Sequence, residues 1–238
     1  MSQKIKFIAR DPGAWELAEK PYPANQNIPE WWRNMSPYMV SSENPEGKKF
    51  KVRNRMANTS PKKCVPMLDA LTSGYLIPLW ADVSIEQTDV NPLINWRTSR
   101  DVFEIHGDTS MIETPIGYHK QVFKFMNLWS IITPPGYSCL ISAPAGFRQT
   151  GLQAIPAIID TDKSTLELVF PLWIQKDFNG IVEKGTPLVQ ITPFKRSEWK
   201  AEYTHYKHNE YQTIEDKNFN ATLINHYIKK VWSKKKYL

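Results

Sequence analysis

The amino-acid sequence predicts a mostly β protein, and three observations carry that prediction. Between Thr133 and Arg196 the chain runs TPPGYSCLISAPAG, AIIDTDKSTLELVF and GIVEKGTPLVQITPFKR, β-rich phrases separated by turn residues. Ala81 to Gln87 alternates Val83 and Ile85 with polar neighbours, the period of two that marks a half-buried strand. The 238 residues hold 18 prolines against 10 glycines and 12% aromatics, a composition suited to short strands, many turns and rigid connectors. A chain of this length buries a substantial core.

The elements follow in order. Residues 1–60 read as an extended aromatic and Pro-rich arm, with Pro29 placed to open a short helix carrying Trp31 and Trp32 as packing anchors. Residues 61–200 read as the β domain. Val65-Pro66-Met67-Leu68 reads as a strand, followed by Tyr75 to Trp80, where Pro78 inside an apolar run points to a sheet edge or a bulge. Asn95 to Arg97 and Val102 to His106 continue the β pattern, with Gly107-Asp108 as a turn. Val122 to Ile132 is a dense apolar run that must be buried, and the three opening phrases follow it. Residues 201–238 read as a linker and one C-terminal helix, because Phe219, Leu223, Tyr227 and Val231 recur every four residues. Lysines at its end oppose the negative pole of the helix dipole.

Composition also bounds the function. The net charge is +6, and Lys229, Lys230, Lys234, Lys235 and Lys236 amount to five of that excess. A second basic group, Lys48, Lys49, Lys51, Arg53 and Arg55, precedes a strand. No helix-turn-helix, zinc-finger or RNA-recognition signature accompanies these charges. The expectation is therefore no specific nucleic-acid partner, only generic attraction to polyanions. No apolar run approaches the roughly 18–20 residues needed to cross a bilayer, so no membrane partner is expected. The opening MSQKIKFIARDPG lacks the apolar stretch of a signal peptide. Cys64 and Cys139 lie in apolar contexts and read as two buried thiols in a reducing compartment.

Several constellations bear on chemistry. Asp160 and Asp162 alternate on one strand face, where they can act as base and orienter, bind a cation, or cap backbone amides at a turn. His119 and Gln121 also share a strand face and, with Gln190, can hydrogen-bond a ligand in a cleft. His106-Gly107-Asp108 matches the H-x-D element of iron- and 2-oxoglutarate-dependent oxygenases, with His205 or His208 as third ligand. The arginine that such enzymes carry shortly after that ligand is missing, and a β-turn aspartate explains the same residues. His205 and His208, three positions apart, have no evident third ligand nearby and read as surface histidines. Ser142 and Cys139 lack the surroundings of a nucleophile. No phosphate loop, dinucleotide fingerprint or zinc-knuckle spacing occurs, and the sequence leaves any cofactor unknown.

The block Pro134–Arg196 resembles the trimeric dUTPase and dCTP deaminase superfamily. Ala143-Pro144-Ala145-Gly146 stands where that pattern has a small polar motif. Ala157-Ile158-Ile159-Asp160-Thr161-Asp162 matches its G-[IV]-[IV]-D-x-D turn, and Lys184-Gly185-Thr186-Pro187-Leu188-Val189-Gln190 its K-G-x-x-[IL]-x-Q turn. The resemblance implies a β-clip core, a homo-oligomer with a trimer favoured, and Asp160 as the position matching a catalytic acid. The superfamily's Arg-Ser phosphate contacts are Pro144 and Ala145 here, and Lys163 replaces its stacking tyrosine. From Lys62 to Lys200, the phrases KKCVPMLDALTSGYLIPLWADV, FMNLWSIITPPGYSCLISAP, IIDTD and EKGTPLVQITPFKR resemble an uncharacterised family of marine tailed phages and some bacteria. That implies a phage protein in the host cytoplasm or the virion, with other virion proteins among its partners. Two functions stand side by side. One is a binding or structural protein, such as a virion or decoration component. The other is a ligand-binding protein or enzyme, a degenerate nucleotide hydrolase for instance, using a cleft near Asp160, Asp162, His119 and Gln190.

Overall fold

The computed structural model describes residues 3–40, 45–47, 59–107, 112–147, 150–164, 167–205, 210–213 and 227–238. The chain forms two compact units. The first comprises Met1–Gln26, Gly74–Arg196 and Tyr237; the second comprises Asn27–Ser73, Ser197–Lys236 and Leu238.

In the first unit the chain forms β1 (Lys6–Ala9), α1 (Pro12–Leu17), β2 (Tyr22–Pro23), β3 (Tyr75–Pro78), β4 (Val83–Glu86) and β5 (Leu93–Trp96). It continues through β6 (Phe103–Ile105), β7 (Phe123–Met126), β8 (Trp129–Ile132), β9 (Tyr137–Ser142) and β10 (Leu152–Ala154). Last come β11 (Ala157–Ile159), β12 (Val169–Ile174), β13 (Gly180–Val182) and β14 (Pro187–Lys195). These strands assemble as sheets in the orders β11-β9-β14-β3-β2, β10-β12-β7-β6, β13-β4-β5 and β1-β8, with antiparallel pairing. A mostly β fold is what the alternation and turn chemistry predict.

The core forms where the inward faces meet. Phe125, Phe170, Leu172 and Ile174 come from one sheet, while Ile77, Cys139, Ile141, Val189 and Ile191 come from another, all in one buried cluster. Strand β4 shows strict alternation, with Val83 and Ile85 buried and Ser84 and Glu86 exposed. Pro78 pairs with Pro187, and the register shifts between Pro187 and Val189. That is the irregularity a proline without a donor imposes on a ladder.

Two expectations are corrected or redrawn. Val65–Leu68 is not a strand but the start of helix α3, Val65–Thr72, in the second unit. Pro66 in the first turn supplies helical φ, and Val65 at the start and Leu71 near the end are the buried residues. The hydroxyls of Thr72 and Ser73 turn back onto the carbonyls of Leu68 and Asp69 at the helix end, and Gly74 follows at φ +71.

Residues 1–60, read as an arm, hold ordered elements in both units. Strand β1 pairs with β8, and Asp11 caps α1 by accepting from the Ala14 N–H at 2.8 Å. In the second unit α2 (Glu30–Asn34) follows Pro29 and buries Trp32, whereas Trp31, also expected as an anchor, is exposed. The observed units therefore do not follow the divisions 1–60, 61–200 and 201–238. Of the predicted C-terminal helix only residues from Tyr227 onward are described. They form a π-type turn, Tyr227–Val231, closed by the Trp232 N–H on the Tyr227 carbonyl at 2.8 Å. The remainder, including Phe219 and Leu223, lies outside the described residues. Among the described residues no helix is long and apolar enough to cross a membrane.

Candidate functional site

Three strand ends meet in the first unit. The register Ile159↔Cys139 sets the end of β11 beside β9, and Phe194↔Ser138 and Lys195↔Tyr137 set the end of β14 on its other side. Asp160 and Arg196, each one residue beyond its strand, thereby flank the start of β9. Gly136, in the turn just before that strand, has φ +83, a conformation that suits glycine.

Arg196 organises the cluster. Its Nη1 donates to Asp162 Oδ1 at 2.8 Å, to Ser138 Oγ at 2.9 Å, to the Tyr137 carbonyl at 3.0 Å and to Asp160 Oδ1 at 3.2 Å. Its Nη2 donates to Asp162 Oδ2, completing a two-pronged grip on that carboxylate. Asp162 Oδ2 also accepts from the Gly136 N–H at 2.7 Å, and Asp160 Oδ1 accepts from the Ser138 hydroxyl at 2.6 Å. The Asp162 side chain is 5% exposed, whereas that of Asp160 is 51% exposed.

Charge and donors set the ionisation. Donation from Arg196, then from the Gly136 amide, holds the Asp162 carboxyl down at about 2. The Ser138 hydroxyl and the charge of Arg196 lower Asp160 in the same direction. The Asp162 carboxylate in turn raises Arg196. Beneath the charges lies a neutral layer. Thr161 is fully buried, its hydroxyl 2.7 Å from that of Thr133 and 3.3 Å from the Cys139 sulfur. Burial pushes the Cys139 thiol up, away from nucleophilic reactivity.

The other predicted site residues are placed elsewhere. Gln190 pairs with Ser142 at the far end of β9, four residues or about 13 Å along the strand from Ser138. Its Oε1 accepts from the Ala145 N–H at 2.8 Å. His119 is buried and its Nε2 lies 2.6 Å from Gln87 Oε1. The Gln87 amide nitrogen donates to the carbonyls of Gln175 and Phe178, so its oxygen accepts and His119 Nε2 must donate. Burial, with Lys176 adding to it, lowers the His119 pKa. Gln121 donates to the carbonyls of Val122 and His106. Asp160 and Asp162 thus come together, but around Arg196.

Of the oxygenase-like set, Asp108 and His208 lie outside the described residues. His106 follows β6, and His205 is exposed in a stretch without regular structure. No group of three or more metal-ligating side chains occurs among the described residues. Both cysteines are free thiols; Cys139 is buried and Cys64 half-buried.

Sequence reasoning missed Arg196, Ser138 and Gly136. Arg196 lies 36 positions beyond Asp160. The signal available was weak: an arginine directly after a long strand, and a Pro-Gly turn opening the strand between them. No family model matches the chain, and no curated protein matches it.

Proposed function

We propose that the chain is a phage-encoded binding or structural protein built on a β-clip-type core, a virion or decoration component in its most specific form. On this reading the two acids serve as a clasp for three strand ends. One observation carries it: Asp162 is 5% exposed, gripped twice by Arg196 and held by a backbone amide. A general base works best with a pKa near the operating pH. A carboxylate held at about 2 is far from that range, and both its oxygens already accept hydrogen bonds. The resemblance to tailed-phage proteins supports the viral part, and the fold analogy supports a homo-oligomer. Chromatography is expected to give a mass above the 27.6 kDa of one chain. Finding the chain in purified phage particles supports the virion assignment, and its absence from them removes it.

A second reading is favoured by the 51% exposure of the Asp160 side chain, which leaves an ionised oxygen reachable at the rim of the clasp. There the chain is a small-ligand binder or enzyme. Thermal shift against nucleotides, divalent metals and 2-oxoglutarate separates the readings, since a specific ligand stabilises the native state by mass action. Under the structural reading no ligand shifts Tm, and Asp160→Asn lowers Tm because an amide oxygen accepts more weakly. Under the ligand reading Asp160→Asn removes a ligand shift while Tm without ligand stays near wild type.

A further inference from the structure

We propose that the segment Tyr227–Leu238 is a preformed, sequence-indifferent docking site for the phosphodiester backbone of nucleic acid. The segment YIKKVWSKKKYL holds five lysines and no acidic residue. Within the second unit it is fastened at one acid. Asp69 of α3 accepts from Trp232 Nε1 at 3.2 and 3.1 Å and pairs with Lys235 Nζ at 2.6 Å. The Asp69 side chain is 16% exposed, so this attachment is partly withdrawn from water.

The remaining lysines make a different pattern. Lys229, Lys230, Lys234 and Lys236 are exposed, and none is paired with a carboxylate among the described residues. Lys229 and Lys230 ride on the closed turn Tyr227–Val231, while Lys234 and Lys236 flank the paired Lys235. Four uncompensated ammonium groups on an anchored backbone repel one another until anions approach. A polymer with a charge every few ångströms meets all four at once, whereas a single phosphate meets one.

The anchoring also selects among polyanions. Trp232, the aromatic side chain best suited to anchoring in a bilayer interface, is hydrogen-bonded to Asp69 and half-buried, although Ile228, Val231 and Leu238 stay exposed and make vesicles the necessary control. Binding then rests on charge and counterion release, with no base-edge contact to read sequence.

Fluorescence anisotropy of the full chain with a labelled duplex of about 30 base pairs tests this across salt. Four phosphate contacts predict a log–log salt slope of about −3.6, or roughly a hundred-fold loss of affinity between 50 and 200 mM. Two unrelated duplex sequences are expected to bind alike. Replacing Lys229, Lys230, Lys234 and Lys236 together by Gln should flatten the slope to near zero with Tm unchanged. A wild-type slope shallower than about −1, or a quadruple variant that keeps the wild-type slope, overturns the proposal. Vesicles of phosphatidylserine and phosphatidylcholine that outcompete the duplex at equal charge would also overturn it, in favour of a membrane surface.

Discussion

The two ends of strand β9 are closed by different chemistry. At Ser138 the neighbours are ions: Asp160, Asp162 and Arg196 share hydrogen bonds around an exposed rim. At Ser142 the neighbour is a neutral amide, Gln190, which is 4% exposed and accepts from the Ala145 N–H. An ionic closure is strong only while its carboxylates stay charged, and salt screens its exposed part. A buried neutral closure ignores both pH and salt, but it leaves an unsatisfied group when broken. One strand therefore has a condition-dependent end and a condition-independent end.

The largest effect tests the element shared by both ends. Strand β14 pairs with β9 and also with β3, and Gly74 sits against it. A Cβ at Gly74 would lie 1.9 Å from the Ile191 carbonyl oxygen, at a φ of +71 that side chains avoid. Gly74→Ala is expected to cost about 4 kcal/mol or more, read by urea titration, and to weaken both ends together. A loss below about 1 kcal/mol would mean the two strands do not depend on that close approach.

Gln190→Leu comes next. It strands the Ala145 N–H and should cost about 1–3 kcal/mol, independent of pH between neutral and mildly acid conditions. A cost that changed with salt would erase the contrast between the ends.

At the ionic end, Asp162→Asn should lower Tm at neutral pH. The folded carboxyl sits at about 2, below its ordinary 3.8, so its stabilisation is present above 3.8 and is lost as pH falls through about 2. Mutant and wild type should therefore converge in strong acid. Parallel melting curves down to pH 2 would contradict the clasp.

The smallest effect concerns His119, whose pKa lies below its ordinary 6.5. Its neutral ring stabilises the fold above 6.5, and that contribution declines as pH drops through the lower folded value. His119→Gln keeps a donor toward Gln87 and removes the titration, so its Tm should vary less with pH than that of wild type.

The β architecture was legible where local pattern and burial agree. Val83 and Ile85 alternate, Pro78 marks an irregular pairing, and the phrases around Tyr137, Ile158 and Val189 each hold a strand. Val65-Pro66-Met67-Leu68 misled because one β-branched residue and two long apolar ones fit either period. Four residues are too few to show a period, and the helix runs past them to Thr72. At the site the acids were legible as a pair from their spacing, but they share the turn that follows β11 and not a strand face. Arg196 was not legible, because only the register across β9 brings it to Asp162, and register depends on the partner strand. Likewise no local rule separates Gln190 from Asp160, although they serve opposite ends of one strand.

Strand β11 is the outer strand of its sheet, only three residues long. Ile158 on it is 66% exposed, and its cross-strand neighbour Leu140 is 41% exposed. An apolar open edge of this kind is a template on which further chains can stack into aggregates. The chain blunts it by placing the charged Asp160 directly after Ile159, where pairing with another edge would strip that carboxylate of water. Because donation from Ser138 and the charge of Arg196 lower the Asp160 pKa, this gatekeeper gives up its charge later in acid than an ordinary surface aspartate.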